Sequence, residues 1–351
     1  MPASCLASDS WLTPLFRSSA HTYTWLDMAL AAMVSGEWSR LDRRVARGAA
    51  LAAQAESRGE WPDEAAIDAA ATAFRYDRDL LTIDETEAWL ERSGLTMELW
   101  TDVLIRDLLR DADTGSALTP VAVAHTEPLV RAEGICSGLF LRFTEQLAAR
   151  AAVADALDEA VEPDVVQAIV DTVRRDWPAW LEGIDPDRLD ARLRRVAIVD
   201  AGFRAVAARM ADEEAMAARI DRSRLEWMRV DLERLAFDTA DAAAEAALCV
   251  REDGMTLSDV AMEAGQPIDD VRAVLEDLEE PLREVVLSAP VDTLVGPVDI
   301  EGRLTVAMVV GKRPPSLDDP LVRQRAERAI VDGLGQKAIF SHVTWLQKPA
   351  R

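Results

Sequence analysis

Residues 287–310 read LSAPVDTLVGPVDIEGRLTVAMVV. A helix end runs into one strand, a two-residue Glu301-Gly302 turn and a second strand. A hairpin of this kind belongs to a small α/β domain. The chain around it is short of catalytic side chains, and that sets the question of what the domain does.

Working outward, the character of the sequence changes near residue 223. LEWMRVDLERLAF alternates and reads as a strand, and DTADAAAEAALCVREDG as a helix ending at Gly254. MTLSDVAMEAG is a shorter helix ending at Gly265, and LEDLEEPLREVVLSAP is another. After the hairpin, SLDDPLVRQRAERAIVDGLG is a helix with Asp318 and Asp319 in its first turn, where they suit the dipole. The tail FSHVTWL alternates like a strand. The order β-α-α-α-β-β, then a helix and an extended piece, predicts a small α+β domain.

Before residue 220 alanine is abundant and β-branched runs are scarce, which favours helix. Residues 1–22 read as irregular. A helix over 40–58 places Leu41, Val45, Ala49 and Ala52 on one face, and Gly59 stops it. Pro62, Asp63 and Glu64 open a helix that runs to about Tyr76. Thr82 and Glu85 form a capping box, Gly94 closes that helix, and Thr96 opens TMELWTDVLIRDLLR. DADTGSALTP is a polar linker, and 126–222 is helical with breaks at Pro163, Pro178 and Pro186.

The chain has 351 residues, 49% hydrophobic and 29% charged, enough for two or three domains with real cores. Its net charge of −24 repels phosphate backbones and anionic lipid and attracts basic peptides. Cys5, Cys136 and Cys249 lie far apart, which argues against a disulfide framework and for a reducing compartment. The N-terminal stretch lacks a basic region ahead of an apolar one, so a cytoplasmic location is expected. No nucleotide loop, HExxH or paired Cys/His spacing is present, and no cofactor or metal is expected. Gly134-Ile135-Cys136-Ser137-Gly138 has the spacing of a thiol nucleophile elbow, but a helix, not a strand, precedes it. Close helix packing is the better reading.

LERLAF at 232–237, the helix after DTADAA, LEDLEEPLREVVLSAPVDTLVGPVDIEG and PPSLDDPLVRQRAER together resemble the parvulin-type peptidyl-prolyl isomerases. With AAQAESRGEWPDEAAIDAA and TIDETEAWLERSGLTMELWTDVLIRDLLR, the whole chain resembles SurA-like foldases. CVREDGMTLSDVA and RPPSLDDP are similar to strings in a group of peptide maturation system proteins, cytosolic relatives of those foldases. The resemblance covers roughly 40–110 and 223–345.

The resemblance implies a mainly α fold, a SurA-like helical chaperone domain plus a parvulin-like small sheet. The expected divisions are an irregular 1–22, a helical domain at 23–112, further helices at 113–222, a degenerate parvulin-like domain at 223–312, and a tail at 313–351 that returns to the amino-terminal half. Active parvulins place imidazoles at two positions, matched here by Arg234 and Thr305. The histidines of this chain, His21, His125 and His342, fit neither place. The implied function is a non-secreted peptide-binding accessory in maturation of a ribosomally made peptide. The alternatives are an active prolyl isomerase and a scaffold for a peptide-modifying enzyme. The partner would be a precursor peptide or unfolded segment, basic or apolar. Neither nucleic acid nor membrane is an expected partner, and the sequence sets no oligomeric state.

Trp89, Met97, Trp100 and Leu104 are candidates for an adaptable peptide groove, since aromatic and Met side chains anchor such surfaces. The competing reading makes Trp89 and Trp100 plain core between two antiparallel helices.

Overall fold

The computed structural model describes residues 11–19, 21–113, 115, 127–157 and 161–347. Cys5, His125 and part of the linker at 111–120 lie outside the described residues. The chain divides into two units, Met1–Arg209 with Gly333–Arg351, and Met210–Asp332.

The first unit opens with strands β1 (Pro14–Ser18) and β2 (His21–Thr24). Both begin inside the stretch read as irregular. Their partners explain why local pattern missed them: β1 pairs with β2 on one side and with β7 (Val343–Trp345), from the far end of the chain, on the other. Phe16 stacks on Tyr23 at 4.8 Å and meets Trp345 edge-on at 5.6 Å. Helix α1 (Trp25–Val34) follows, capped by a Thr24–Asp27 box. The fully buried Asp27 also receives Arg192.

Helices α2 (Trp38–Arg58), α3 (Glu64–Tyr76), α4 (Ile83–Ser93) and α5 (Met97–Ala112) come next. Gly59 and Gly94 end α2 and α4 in the left-handed conformation. Then come α6 (Glu127–Cys136), α7 (Leu139–Leu157), α8 (Pro163–Arg175), a 3-10 turn (Ala179–Gly183) and α9 (Pro186–Met210). Buried residues from α1 through α9 form one cluster, so the helices after 113 share a core with those before it. Phe140 is at its centre, with Trp11, Trp25 and Trp38 at 6.0, 5.5 and 6.2 Å.

The second unit holds α10 (Glu213–Arg222), β3 (Arg229–Phe237), α11 (Ala240–Arg251), α12 (Leu257–Ala264), β4 (Asp269–Val274), α13 (Glu280–Ser288), β5 (Thr293–Ile300) and β6 (Arg303–Arg313). It also contains the start of α14 (Pro320–His342). The sheet is antiparallel, in the order β4-β3-β6-β5. The expected β-α-α-α-β-β order is therefore corrected to β-α-α-β-α-β-β. Strand β4 reads DDVRAV, and its charged residues obscure the alternation that marks a half-buried strand. It is also an edge strand, where charge is a normal guard against stray pairing. The helix expected from residue 275 starts at Glu280, after a 3-10 turn at Leu275–Asp277.

Period-two alternation gives this sheet two buried faces. Leu235, Phe237, Leu294 and Val306 pack under α11 and α12. Val230, Leu232, Ala307 and Val309 pack under α13. A third cluster joins Trp227 to Met216 and Ile220 of α10 and to Val322 and Ala326 of α14.

Candidate functional site

The second apolar face does not run the length of the sheet. Register pairs Leu232 with Val309, Arg234 with Ala307, and Ala236 with Thr305. Directly paired residues share a face, so Arg234, Ala236 and Thr305 continue the face that begins with Leu232 and Val309. There the cover of α13 ends and a cleft of about 360 Å³ opens. Gln266, Pro267 and Asp269 form one wall, and Glu279 and the β5–β6 turn contribute the others. The volume falls within the usual range for ligand pockets, roughly 300–1,000 Å³.

Arg234 and Thr305, matched from sequence to the parvulin imidazole positions, thus line one cleft. Arg234 lies opposite Asp269 of β4 in register, and its Nε donates to Asp269 Oδ2 at 3.1 Å. Its Nη1 donates to Glu279 at 3.5 Å. Both carboxylates are substantially exposed, so these pairs are worth about 0–1 kcal/mol each and can be exchanged for a ligand. Arg303 donates to the Ala236 carbonyl at 3.0 Å and to Asp238 at 3.2 Å, closing the turn end of the cleft.

Thr305 is buried at 4% exposure. Behind it the β5 backbone comes very close: a Cβ on Gly296 would stand 2.6 Å from the Thr305 carbonyl oxygen. Gly296 also has φ +94°, a conformation that disfavours any other residue. Arg251, at the end of α11, holds this bulge by donating to the Gly296 carbonyl at 2.8 Å. At the other end of β6, Lys312 donates to the Val286, Leu287 and Ala289 carbonyls and so caps α13. Desolvation lowers its pKa from the ordinary lysine value.

The chemistry this cleft offers is hydrogen bonding. A guanidinium stays protonated and presents up to five N–H donors, suited to holding a peptide carbonyl. Among the described residues no imidazole lines the cleft. His21 and His342 both lie in the first unit. Among the described residues no group of three or more His, Cys, Asp or Glu is placed to hold a metal, and no helix is long and apolar enough to cross a membrane.

The other sequence candidates lie elsewhere. Trp89, Trp100 and Leu104 are buried, and Phe74 meets both indoles edge-on at 5.4 and 5.5 Å. Those rings belong to the core of α3, α4 and α5, as the competing reading held. Met97 alone of the four is exposed. Cys136 ends α6 and is buried, and desolvation pushes its thiol up to about 12. A Cβ on Gly134 would strike the Phe140 ring at 2.3 Å, so the Gly-x-Cys-x-Gly spacing serves packing. Sequence reasoning did not find Asp269, Glu279 or Gln266. Asp269 opens β4, which the sequence did not reveal, Gln266 lies in the loop before it, and Glu279 is the N-cap residue of α13.

No family model and no curated protein matches the chain. Among solved structures, the chain is similar to the peptidylprolyl isomerase PrsA of Bacillus anthracis, with TM-score 0.30, 10% identity, and 56% of this chain and 94% of that one covered. The foldase protein PrsA of Streptococcus pneumoniae gives TM-score 0.27 and 11% identity over 65% and 92% of the two chains. A structure from Campylobacter jejuni, from a study of two SurA-like chaperones, PEB4 and Cj1289, gives TM-score 0.21 and 8% identity over 61% and 89%.

Proposed function

We infer that this chain is a peptide-binding, chaperone-like accessory protein of the foldase type, whose second unit uses its cleft to hold a peptide without the parvulin imidazoles. The observation that carries this reading is the convergence of Arg234 and Thr305 on one cleft. The bound segment would place a backbone carbonyl against the Arg234 guanidinium, displacing a weak pair to Asp269 or Glu279. Supporting the finer reading, the sequence similarity to peptide maturation system proteins points to a ribosomally made precursor peptide as client. The dispersed cysteines fit a reducing, cytoplasmic setting.

Prolyl isomerase activity is the second reading, favoured by the cleft itself. The reaction needs no nucleophile, only a pocket that lowers a barrier of roughly 18–20 kcal/mol. A protease-coupled assay on a proline peptide separates the two. The binding reading expects no acceleration above background, with saturable peptide binding that Arg234→Ala weakens. Acceleration by the natural chain, lost in Arg234→Ala, would make it an isomerase.

A further inference from the structure

The second unit carries another cleft, of about 310 Å³, lined by α10, the connection to β3, the 3-10 turn after β4 and the first half of α14. The buried Trp227 forms its floor, and the indole Nε1 donates to Glu276 Oε2 at 3.0 Å. Arg325 is fully engaged by carboxylates: Nη1 donates to Glu276 at 2.7 Å, and Nη2 to Asp277 at 2.8 and 2.6 Å. Arg219 has no such partner. Its guanidinium lies over the Trp227 ring at 5.3 Å, and its Nε is buried with no acceptor among the described residues. Arg328, exposed on α14 one turn from Arg325, also lacks a carboxylate partner among the described residues. Glu226 and Asp332, both exposed, stand at the rim, and Leu321 and Ala329 add apolar surface.

We propose that this cleft binds a small organic monocarboxylate, its carboxylate held by the Arg219 guanidinium and drawn in by Arg328. Buried polar groups are normally hydrogen-bonded, so a guanidinium kept beneath the surface without an acceptor is a donor set suited to a ligand. The indole under it holds the guanidinium in place, and the planar fork matches a carboxylate through two parallel hydrogen bonds. Arg325 does not compete for that carboxylate, because Glu276 and Asp277 already occupy its donors. The rim sets the charge of the ligand. Arg219 is half-buried, where attraction is screened less, whereas Glu226 and Asp332 are exposed, where repulsion is screened more. One negative charge at the floor is therefore favoured, and the second charge of a dianion such as phosphate meets the rim carboxylates. Leu321 and Ala329 receive the carbon skeleton. The volume lies at the lower end of the range for small-molecule sites, roughly 300–1,000 Å³.

The test uses the full chain and isocaproate, followed by saturation-transfer NMR of the ligand at constant ionic strength, with isohexyl alcohol and inorganic phosphate as comparisons. Isocaproate is expected to bind in the millimolar range and the alcohol not, while phosphate displaces isocaproate only weakly. Arg219→Gln should weaken binding about tenfold or more, and Arg328→Gln, at an exposed position, about threefold. Arg234→Ala should leave this binding unchanged, since Arg234 lines the other cleft. Equal binding of the alcohol would overturn the proposal in favour of a purely apolar pocket, and ready displacement by phosphate in favour of a dianion site. Absence of isocaproate binding would also overturn it, as would full binding by Arg219→Gln, or by Arg328→Gln where Arg219→Gln fails to fold by circular dichroism.

Discussion

Arg234 and Asp269 face each other across the β3–β4 ladder, and the guanidinium of one donates to the carboxylate of the other at the mouth of the cleft. The pair joins a position matched to the foldase resemblance to a strand that the sequence did not reveal. Asp269→Ala should free the guanidinium for a peptide carbonyl and tighten peptide binding by about threefold, since an exposed pair is worth about 0–1 kcal/mol. Titration of a labelled proline peptide against both forms checks this.

Restoring imidazoles carries a structural cost. Thr305 is buried at 4% exposure, and the β5 backbone lies behind it. Thr305→His should destabilise the second unit by about 1–3 kcal/mol through overpacking, while Arg234→His, at a more open position, should cost less. Urea unfolding followed by circular dichroism ranks the two.

Gly296→Ala should cost about 2–3 kcal/mol, because the new Cβ meets a backbone carbonyl and the residue keeps a positive φ. Hydrogen exchange of β5 and β6 should rise in that variant before it rises in α11.

Glu133 is a fully buried carboxylate on α6, held by Arg44 of α2 at 2.9 Å and Arg110 of α5 at 3.1 Å. Glu133→Gln should destabilise the first unit by about 3–5 kcal/mol by leaving buried guanidinium charge poorly matched. Nine of the ten tryptophans belong to the first unit, so intrinsic fluorescence follows its unfolding selectively.

The capping carboxylates give acid dependence a definite direction. Glu85 has its pKa lowered by the Thr82 backbone and side-chain hydrogen bonds, and Asp259 by the Thr256 hydroxyl and backbone. Their stabilisation is therefore fully present above the ordinary carboxylate range and fades as pH falls through the lowered values. The stability gap between the natural chain and Glu85→Gln should be widest near neutral pH and close in acid.

Cys136 should resist iodoacetamide in the native chain and react only on unfolding, because burial holds its thiol protonated at any ordinary pH. Peptide mapping by mass spectrometry reads the site directly.

Helix punctuation was the most legible level of the sequence. Thr82 with Glu85, and Gly59, Gly94 and Gly265, act through local backbone geometry, and each caps its helix where expected. Strands were less legible because their partners are distant. Only β7 and β2 make β1 a strand, and β4 hides under its charges. The site was half legible for the same reason: Arg234 and Thr305 could be matched, whereas Asp269 and Glu279 reach the cleft through tertiary placement alone. Tryptophan composition did not reveal which indoles are core, since burial of Trp89 and Trp100 is set by Phe74 on a neighbouring helix.

The β1–β7 pairing has a consequence for synthesis. A ribosome delivers β1 well before Val343 and the rest of β7, so the first unit waits with an open strand edge while the contiguous second unit emerges whole. Order of assembly therefore runs against order of synthesis. A stop codon or proteolytic cut just before Val343 would strip β1 of one neighbour and leave every residue of the cleft in place.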